Sequence, residues 1–397
     1  MSSHASSLTS RLRGFIVASV LFLVAWQVAV VAAAPRRTIL ALALYGFVFH
    51  MVFGKAYALV PSYFDRSLCF PRVPTVHLPL ATIGVLCLAS APLLSRPALH
   101  VLGALLWTVG VVLFLTTIGW TIRDNLRGRE TGTGATKTDL VPVDRLANAF
   151  VPVALAYLAA GSYELLATAT SLPTLLDGHP AQSTHLLAAG TAAILVFALG
   201  MRLMPRFLVV TPWRPLVALV LGTGAVGPLL IASGVGGHPL RLQAGAVVQT
   251  VALVGFAGAF GHLFVRSDRR RIGSYGVLAG AVFGVGGVLM GLHFAIGAIQ
   301  GSLVDAHLRL NLLGFLGLTI MGVAYHFYPP AAGAFRGAGN RTALASIALV
   351  TAGLVLEVGG LLLAFDELIF AGRLGALVGV TLYAYLLLGL FWQRRTS

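Results

Sequence analysis

Four histidines have positions from which they could bind a metal, because each lies inside a long apolar stretch: His50, His185, His293 and His307. A polar side chain within a membrane-spanning segment is costly, so it usually has a function. Neutral imidazole on a rigid helix suits haem iron or copper as a ligand. The other interpretation is a hydrogen bond from each ring to a neighbouring helix, and the sequence leaves both open.

The other seven histidines give no comparable signal. Three lie in polar tails or links, where a solvated ring needs no function: His4, His179 and His238. Four lie near the ends of apolar stretches, where imidazole is at home in the membrane interface: His77, His100, His262 and His326.

Charged side chains are rare in the apolar stretches, and most of them fall at one level. These are Glu164, Asp305, Arg309, Glu357 and Arg373. One interpretation is that they form ion pairs, which offsets the cost of burial. The second is that Arg309 and Arg373 bind the carboxylates of a cofactor through charge-assisted hydrogen bonds. A further cation, Lys55, lies close enough to a stretch end to reach the interface.

The composition excludes most classes of soluble protein. Of the 397 residues, 58% are hydrophobic and 10% are charged, and the mean hydropathy is +0.91. A soluble domain carries roughly 25% charged residues. These values exclude a soluble enzyme, a secreted disulfide scaffold and a disordered chain. The two cysteines, Cys69 and Cys87, form no metal-binding motif and are interpreted as structural thiols.

The apolar stretches predict an all-α polytopic membrane protein, since a span needs about 20 mostly apolar residues. The first stretch follows a short basic segment and is interpreted as a span rather than a cleaved signal peptide. Twelve spans are predicted: 14–34, 38–61, 74–95, 97–122, 146–170, 183–204, 215–235, 240–265, 273–299, 305–328, 341–365 and 367–392. They leave no segment for a soluble domain, so residues 1–397 form a single transmembrane domain.

A repeated motif divides the predicted spans into three groups. Spans 2 and 10 both close with G-x-A-Y-x3-P, at residues 54–61 and 322–329, and span 6 closes with a looser version at 200–205. Because these spans are four apart, we predict three pseudo-repeated four-helix units, at 14–122, 146–265 and 273–392. The link 123–145 between the first two is predicted to be an exposed cytoplasmic loop. His50, His185 and His307 lie on the three marked spans.

The net charge of +15 is interpreted as topology. With the N-terminus in the cytoplasm, twenty of the 27 Lys and Arg residues fall on the cytoplasmic side, as the positive-inside rule requires. Both termini are therefore predicted to be cytoplasmic, in a multi-pass protein of the cell membrane whose cations contact lipid headgroups. A nucleic-acid partner is not expected, because the cations form no aromatic-rich basic face.

Twelve spans with histidines on spans 2, 6 and 10 resemble the catalytic subunit of the haem-copper oxidase superfamily. The resemblance implies that His50 and His307 bind one haem, of b type, that His185 is a copper ligand, and that Arg309 and Arg373 contact haem propionates. Span 7 has no histidine, Asp305 replaces the first histidine of the family's His-x-His, and no tyrosine follows His185 by one turn. These departures argue against a complete copper–haem centre and against dioxygen reduction.

The NnrS family, haem- and copper-associated proteins of the nitric oxide response, is more similar. His185, Gly190 and Arg202 match its H-x4-G-x11-R span, and His50-Met-Val-Phe-Gly54 is similar to its H-E-M-x-x-G segment without the Glu. This resemblance implies binding of nitric oxide or a related gas, or electron transfer, with His185 and His293 as ligands of copper or a second haem. An oxidoreductase activity of the oxidase or nitric oxide reductase type stays open, and the electron donor is not identified.

Two other functions fit the same pattern. A transporter or sensor would use the histidines as proton or metal contacts. A non-catalytic subunit of a larger oxidase would bind partners that carry cytochrome c or copper.

Overall fold

The computed structural model describes the backbone of residues 2–297 and 299–396 and the side chains of residues 12–297 and 299–393, so the side chain of His4 lies outside the described part. Within these residues, twelve helices are long and apolar enough to cross a membrane. They are α1 (Leu12–Val31), α2 (Arg36–Tyr63), α3 (Val73–Leu93), α4 (Pro97–Ile122), α5 (Ala135–Ala169), α6 (Pro180–Leu208), α7 (Arg214–Gly234), α8 (Pro239–Arg266), α9 (Ile272–Ile296), α10 (Gly301–Ala332), α11 (Asn340–Leu363) and α12 (Asp366–Gln393). The predicted all-α, multi-pass membrane architecture is confirmed.

Three helices form the centre of the bundle. In α2, α6 and α10, 78% of the membrane segment is buried, whereas the other nine helices have 33–50% buried. The other helices therefore shield these three from lipid. They are the helices on which the sequence places His50, His185 and His307.

The same three helices share an uncommon backbone feature. Each contains an eight-residue π-helical segment, at Ala41–Val48, Leu186–Ala193 and Leu310–Gly317. Such segments are rare in proteins and occur often at functional sites, because the wider turn changes the register of the side chains. The division into three units stays a prediction, and the recurrence of this feature every four helices agrees with it.

The third and fourth helices of each predicted unit pack closely through small residues, as is common in membrane bundles. A Cβ on Gly353 of α11 would lie 2.6 Å from the carbonyl oxygen of Gly372 on α12. In α8, a Cβ on Gly245 would lie 2.6 Å from the backbone nitrogen of Ile231, and one on Gly103 of α4 would lie 2.9 Å from a backbone oxygen of α3. The two helices of each pair are therefore in close backbone contact, and the pairs lie outside the three central helices.

The link 123–145 is mostly exposed, as predicted, but it is not a loop throughout. Its second half is helical, because α5 begins with a 3-10 turn at Ala135–Leu140. Its first half is attached to the end of α2, since the buried amide of Asn125 donates to the carbonyls of Phe64 and Glu130 at 3.2 and 2.9 Å. Hydropathy misses both features, because these contacts are made by polar side chains that bond to backbone groups.

Candidate functional site

His50 is fully buried on α2 and uses both ring nitrogens in hydrogen bonds. Nδ1 lies 3.0 Å from the carbonyl oxygen of Tyr45, in the π segment, and Nε2 lies 3.2 Å from Oγ1 of Thr82 on α3. Because a carbonyl only accepts, Nδ1 carries the proton and Nε2 accepts from the Thr82 hydroxyl. The ring is packed against Phe22, with centroids 5.0 Å apart. His50 therefore makes the contact expected under the second interpretation, a hydrogen bond to a neighbouring helix.

His185 and His307 have a different arrangement. Nδ1 of His185 donates to the carbonyl oxygen of Ala181 at 2.7 Å, and Nδ1 of His307 donates to that of Gly287, on α9, at 3.0 Å. Neither Nε2 has a hydrogen-bond partner among the described residues. One imidazole is on α6 and the other is on α10, two of the three central helices. Each ring is thus oriented through Nδ1, with the Nε2 lone pair left available.

Nδ1 anchoring to a backbone carbonyl is typical of metal-binding histidines, because it fixes the tautomer and aims Nε2 at the ion. The amide of Asn311 donates to the backbone carbonyl of His307 at 2.8 Å, and so further holds the helix turn that carries this ring. We therefore take the His185–His307 pair as the candidate site.

The predicted haem shared by His50 and His307 is not the arrangement that these side chains adopt. His50 contacts Phe15, Phe22 and Thr82, on α1 and α3. His307 lies against Gly287 and Phe294, both on α9. The two rings therefore share none of these neighbouring helices.

Gly54 and Gly190 lie near the predicted ligands His50 and His185, and neither glycine leaves open space for a flat macrocycle. The Phe15 side chain lies on Gly54, where a Cβ would be 2.9 Å from Phe15 Cβ, and the Tyr157 ring covers Gly190. Aromatic side chains of neighbouring helices thus occupy the space beside these glycines. A haem beside either ring would therefore have to lie away from these two glycines.

The four histidines predicted as metal ligands do not form one cluster. His293 is exposed near the end of α9, and His50 faces α1 and α3. No group of three or more His, Cys, Asp or Glu suited to a metal occurs within the described residues. Of the four predicted metal ligands, His185 and His307 share the arrangement of an imidazole that is anchored through Nδ1 with Nε2 free of hydrogen bonds to described residues.

The buried arginines form ion pairs. Both Arg309 and Arg373 donate through Nε to Glu357, at 2.7 and 3.1 Å, and Glu357 is 1% exposed. Asp305 pairs with Arg36 at an exposed site, Nε to Oδ1 2.8 Å. The ion-pair interpretation thus describes the contacts of Asp305, Arg309, Glu357 and Arg373. Glu164 differs, because its Oε2 accepts from the backbone N–H of Leu175 at 2.8 Å and it forms no ion pair with a described residue. Contact of Arg309 and Arg373 with haem propionates stays a prediction.

Sequence reasoning missed several buried polar groups, and two of them, His77 and Asp144, make contacts between helices. His77, expected at the interface, is fully buried on α3, where Nδ1 lies 3.0 Å from the Tyr57 hydroxyl and Nε2 has no partner in the described part of the chain. The sequence did contain a signal for this contact, because Tyr57 is the tyrosine of the repeated motif G-x-A-Y-x3-P. The second group is Asp144, which is fully buried and binds Arg206 at 2.6 Å and Arg202 at 3.6 Å.

The fold and these buried groups define a polytopic, all-α membrane protein. No protein-family model and no curated protein sequence matches the chain. Among solved structures, a similar one is described as a cryo-EM structure of a heme-copper terminal oxidase dimer that provides insights into its catalytic mechanism. The two chains are 13% identical over 96% of this chain and 83% of that chain, with a TM-score of 0.49. At these values no cofactor or activity is carried over to the present chain.

Proposed function

We propose that this protein is a membrane-embedded metalloprotein in which His185 and His307 bind a transition metal. The observation that carries the proposal is the pair of Nδ1–carbonyl hydrogen bonds, to Ala181 and Gly287, which leaves both Nε2 lone pairs available. Imidazole suits copper, iron and zinc as a ligand. Copper is the first candidate because the sequence resemblance implies it, and haem iron bound by one of these rings is the second.

The metal would supply a position at which a small gas binds or through which an electron passes. We propose nitric oxide or a related gas as the ligand, on the resemblance to the NnrS family. The chain's own residues orient the two rings: the carbonyl groups of Ala181 and Gly287 hold their protonated nitrogens, and Asn311 holds the turn of α10. Because both histidines are on membrane-spanning helices, apolar gases would reach the site from the lipid.

The experiment measures metal content and the visible spectrum of the full chain purified in detergent. We expect bound copper or a haem Soret band in the unmodified protein, and loss of either in His185→Ala and in His307→Ala. His262→Ala is the matched control, because His262 is an exposed histidine on α8. Nitric oxide should shift the spectrum of the unmodified protein.

A folded protein without pigment or metal would overturn the proposal and favour the transporter or sensor. That alternative has its own support in the buried ion pairs of Arg309, Arg373 and Glu357, since charges inside a bundle commonly mark ion pathways. Co-purification with cytochrome- or copper-bearing chains would favour the non-catalytic subunit.

A further inference from the structure

The cluster around Arg309 has more hydrogen-bond donors than acceptors. Both oxygens of Glu357 accept from arginines, and Oε1 of Gln27 accepts from Nη2 of Arg309 at 2.9 Å. Among the described residues, Nη1 of Arg309, Nε2 of Gln27 and Nε1 of Trp26 are buried and have no partner. A buried donor without an acceptor costs free energy, more so when it is charged. The cluster therefore lacks an acceptor.

The same cluster has an uncompensated positive charge. Arg309 is 4% exposed, and two guanidinium groups share the single carboxylate of Glu357. Gln27 and Trp26 are fully buried and neutral, and the Trp26 ring lies 5.3 Å from the Arg309 guanidinium carbon. An unpaired charge inside a membrane bundle is costly, so a bound anion would stabilise this arrangement.

We infer that Arg309, Gln27 and Trp26, with Arg373, form a binding site for a small monovalent inorganic anion of the size of chloride or nitrate. Such an anion accepts hydrogen bonds from the three free donors and neutralises the excess charge. The Arg373 side chain is 25% exposed and gives the site an approach from the predicted outer side. The inference does not depend on the metal proposed for His185 and His307.

The test compares chloride and nitrate with gluconate, which is too large to enter, at constant ionic strength. The thermal unfolding midpoint of the full chain in detergent is measured as the anion concentration rises. We expect a saturable rise with chloride and nitrate and none with gluconate, because a ligand that binds the folded state stabilises it by mass action. Absence of saturation, or an equal response to gluconate, would overturn the inference.

Variants locate the site. Arg309→Gln should abolish the response, and Glu357→Gln should lower the half-saturating anion concentration several-fold, since it removes the competing negative charge. Arg36→Gln is the control, because Arg36 pairs with Asp305 at an exposed position on the same side. If Arg309→Gln does not fold, Gln27→Leu replaces it, with an expected several-fold weaker response. An unchanged response in these site variants would overturn the inference.

A carboxylate of a bound cofactor is the other source of an acceptor. Preparations with and without pigment are therefore compared. A saturable response in both supports the inorganic anion. A response confined to pigment-free protein would overturn it, because a resident carboxylate would then fill the site.

Discussion

The hydroxyl of Tyr57 lies 3.0 Å from Nδ1 of His77 and so joins α2 to α3. The third predicted unit repeats this contact, since the Tyr325 hydroxyl of α10 lies 2.7 Å from Oγ of Ser346 on α11. Both tyrosines belong to the motif G-x-A-Y-x3-P. The motif thus places a hydrogen bond between the second and third helices of a unit.

Tyr57→Phe should lower the free energy of unfolding by about 1–3 kcal/mol, because it leaves the buried Nδ1 of His77 without a partner. The unfolding midpoint in detergent measures the loss. In the double variant Tyr57→Phe, His77→Phe both polar partners are replaced by apolar rings, and most of the loss should be recovered. Equal losses in the single and double variants would contradict the hydrogen bond.

His50→Leu should destabilise the protein without changing its metal content, because both ring nitrogens of His50 bind protein groups. Thr82→Val should have a smaller effect, of about 1 kcal/mol, since it removes one neutral hydrogen bond. Metal analysis and thermal unfolding of the two variants give the result. Loss of metal in His50→Leu would restore His50 as a ligand.

Glu357→Ala should lower stability by about 3–5 kcal/mol, the usual cost of removing one partner of a buried ion pair. It leaves the guanidinium groups of Arg309 and Arg373 together without their carboxylate. Asp305→Ala is the matched control, with an expected loss below about 1 kcal/mol, because its pair with Arg36 is exposed. Similar unfolding midpoints of the two variants would contradict the prediction.

Lowering the pH should weaken the attachment of the link between α4 and α5. The hydrogen bond from Arg66 lowers the pKa of the exposed Asp124 carboxyl below its ordinary value. A carboxyl with a lowered pKa in the folded state stabilises it above the unfolded pKa, and this contribution is lost as the pH falls through the folded pKa. Protection of residues 124–132 against hydrogen exchange should therefore fall below about pH 4.

Arg66→Gln is the control for this pH effect. It removes the cation that pairs with Asp124 and Glu130. The variant should show low protection of the link at neutral pH and little further change in acid. A pH dependence equal to that of the unmodified chain would assign the effect to another group.

Span number and span order follow from the sequence because membrane insertion depends mainly on local apolar length. The ends are less predictable. The polar first turns of α5, which include Asp144, are folded into the helix and stabilised by Arg206, a contact between residues 62 positions apart. Hydropathy averages over neighbouring residues and does not register such a partner.

The candidate site was predictable in its residue types and not in its grouping. A histidine in a span is rare, which points to His185 and His307, and in the structure both rings are anchored through Nδ1 to a backbone carbonyl. His50 was selected by the same rule, yet its ring faces Thr82 and two phenylalanines. The π segments next to these histidines change the register of the side chains. No periodicity in the sequence predicts where such segments occur.

The sequence by itself determined that this chain is a twelve-helix membrane protein, and it named some of the buried polar groups, including His50, Glu164, Arg309 and Glu357. Tertiary structure decided their partners. It paired Glu357 with two arginines, covered Gly54 and Gly190 with aromatic rings, and buried His77 against Tyr57. The physical reason is that the apolar length of a span depends on its own local sequence. The direction and partner of a buried side chain depend instead on how distant helices pack.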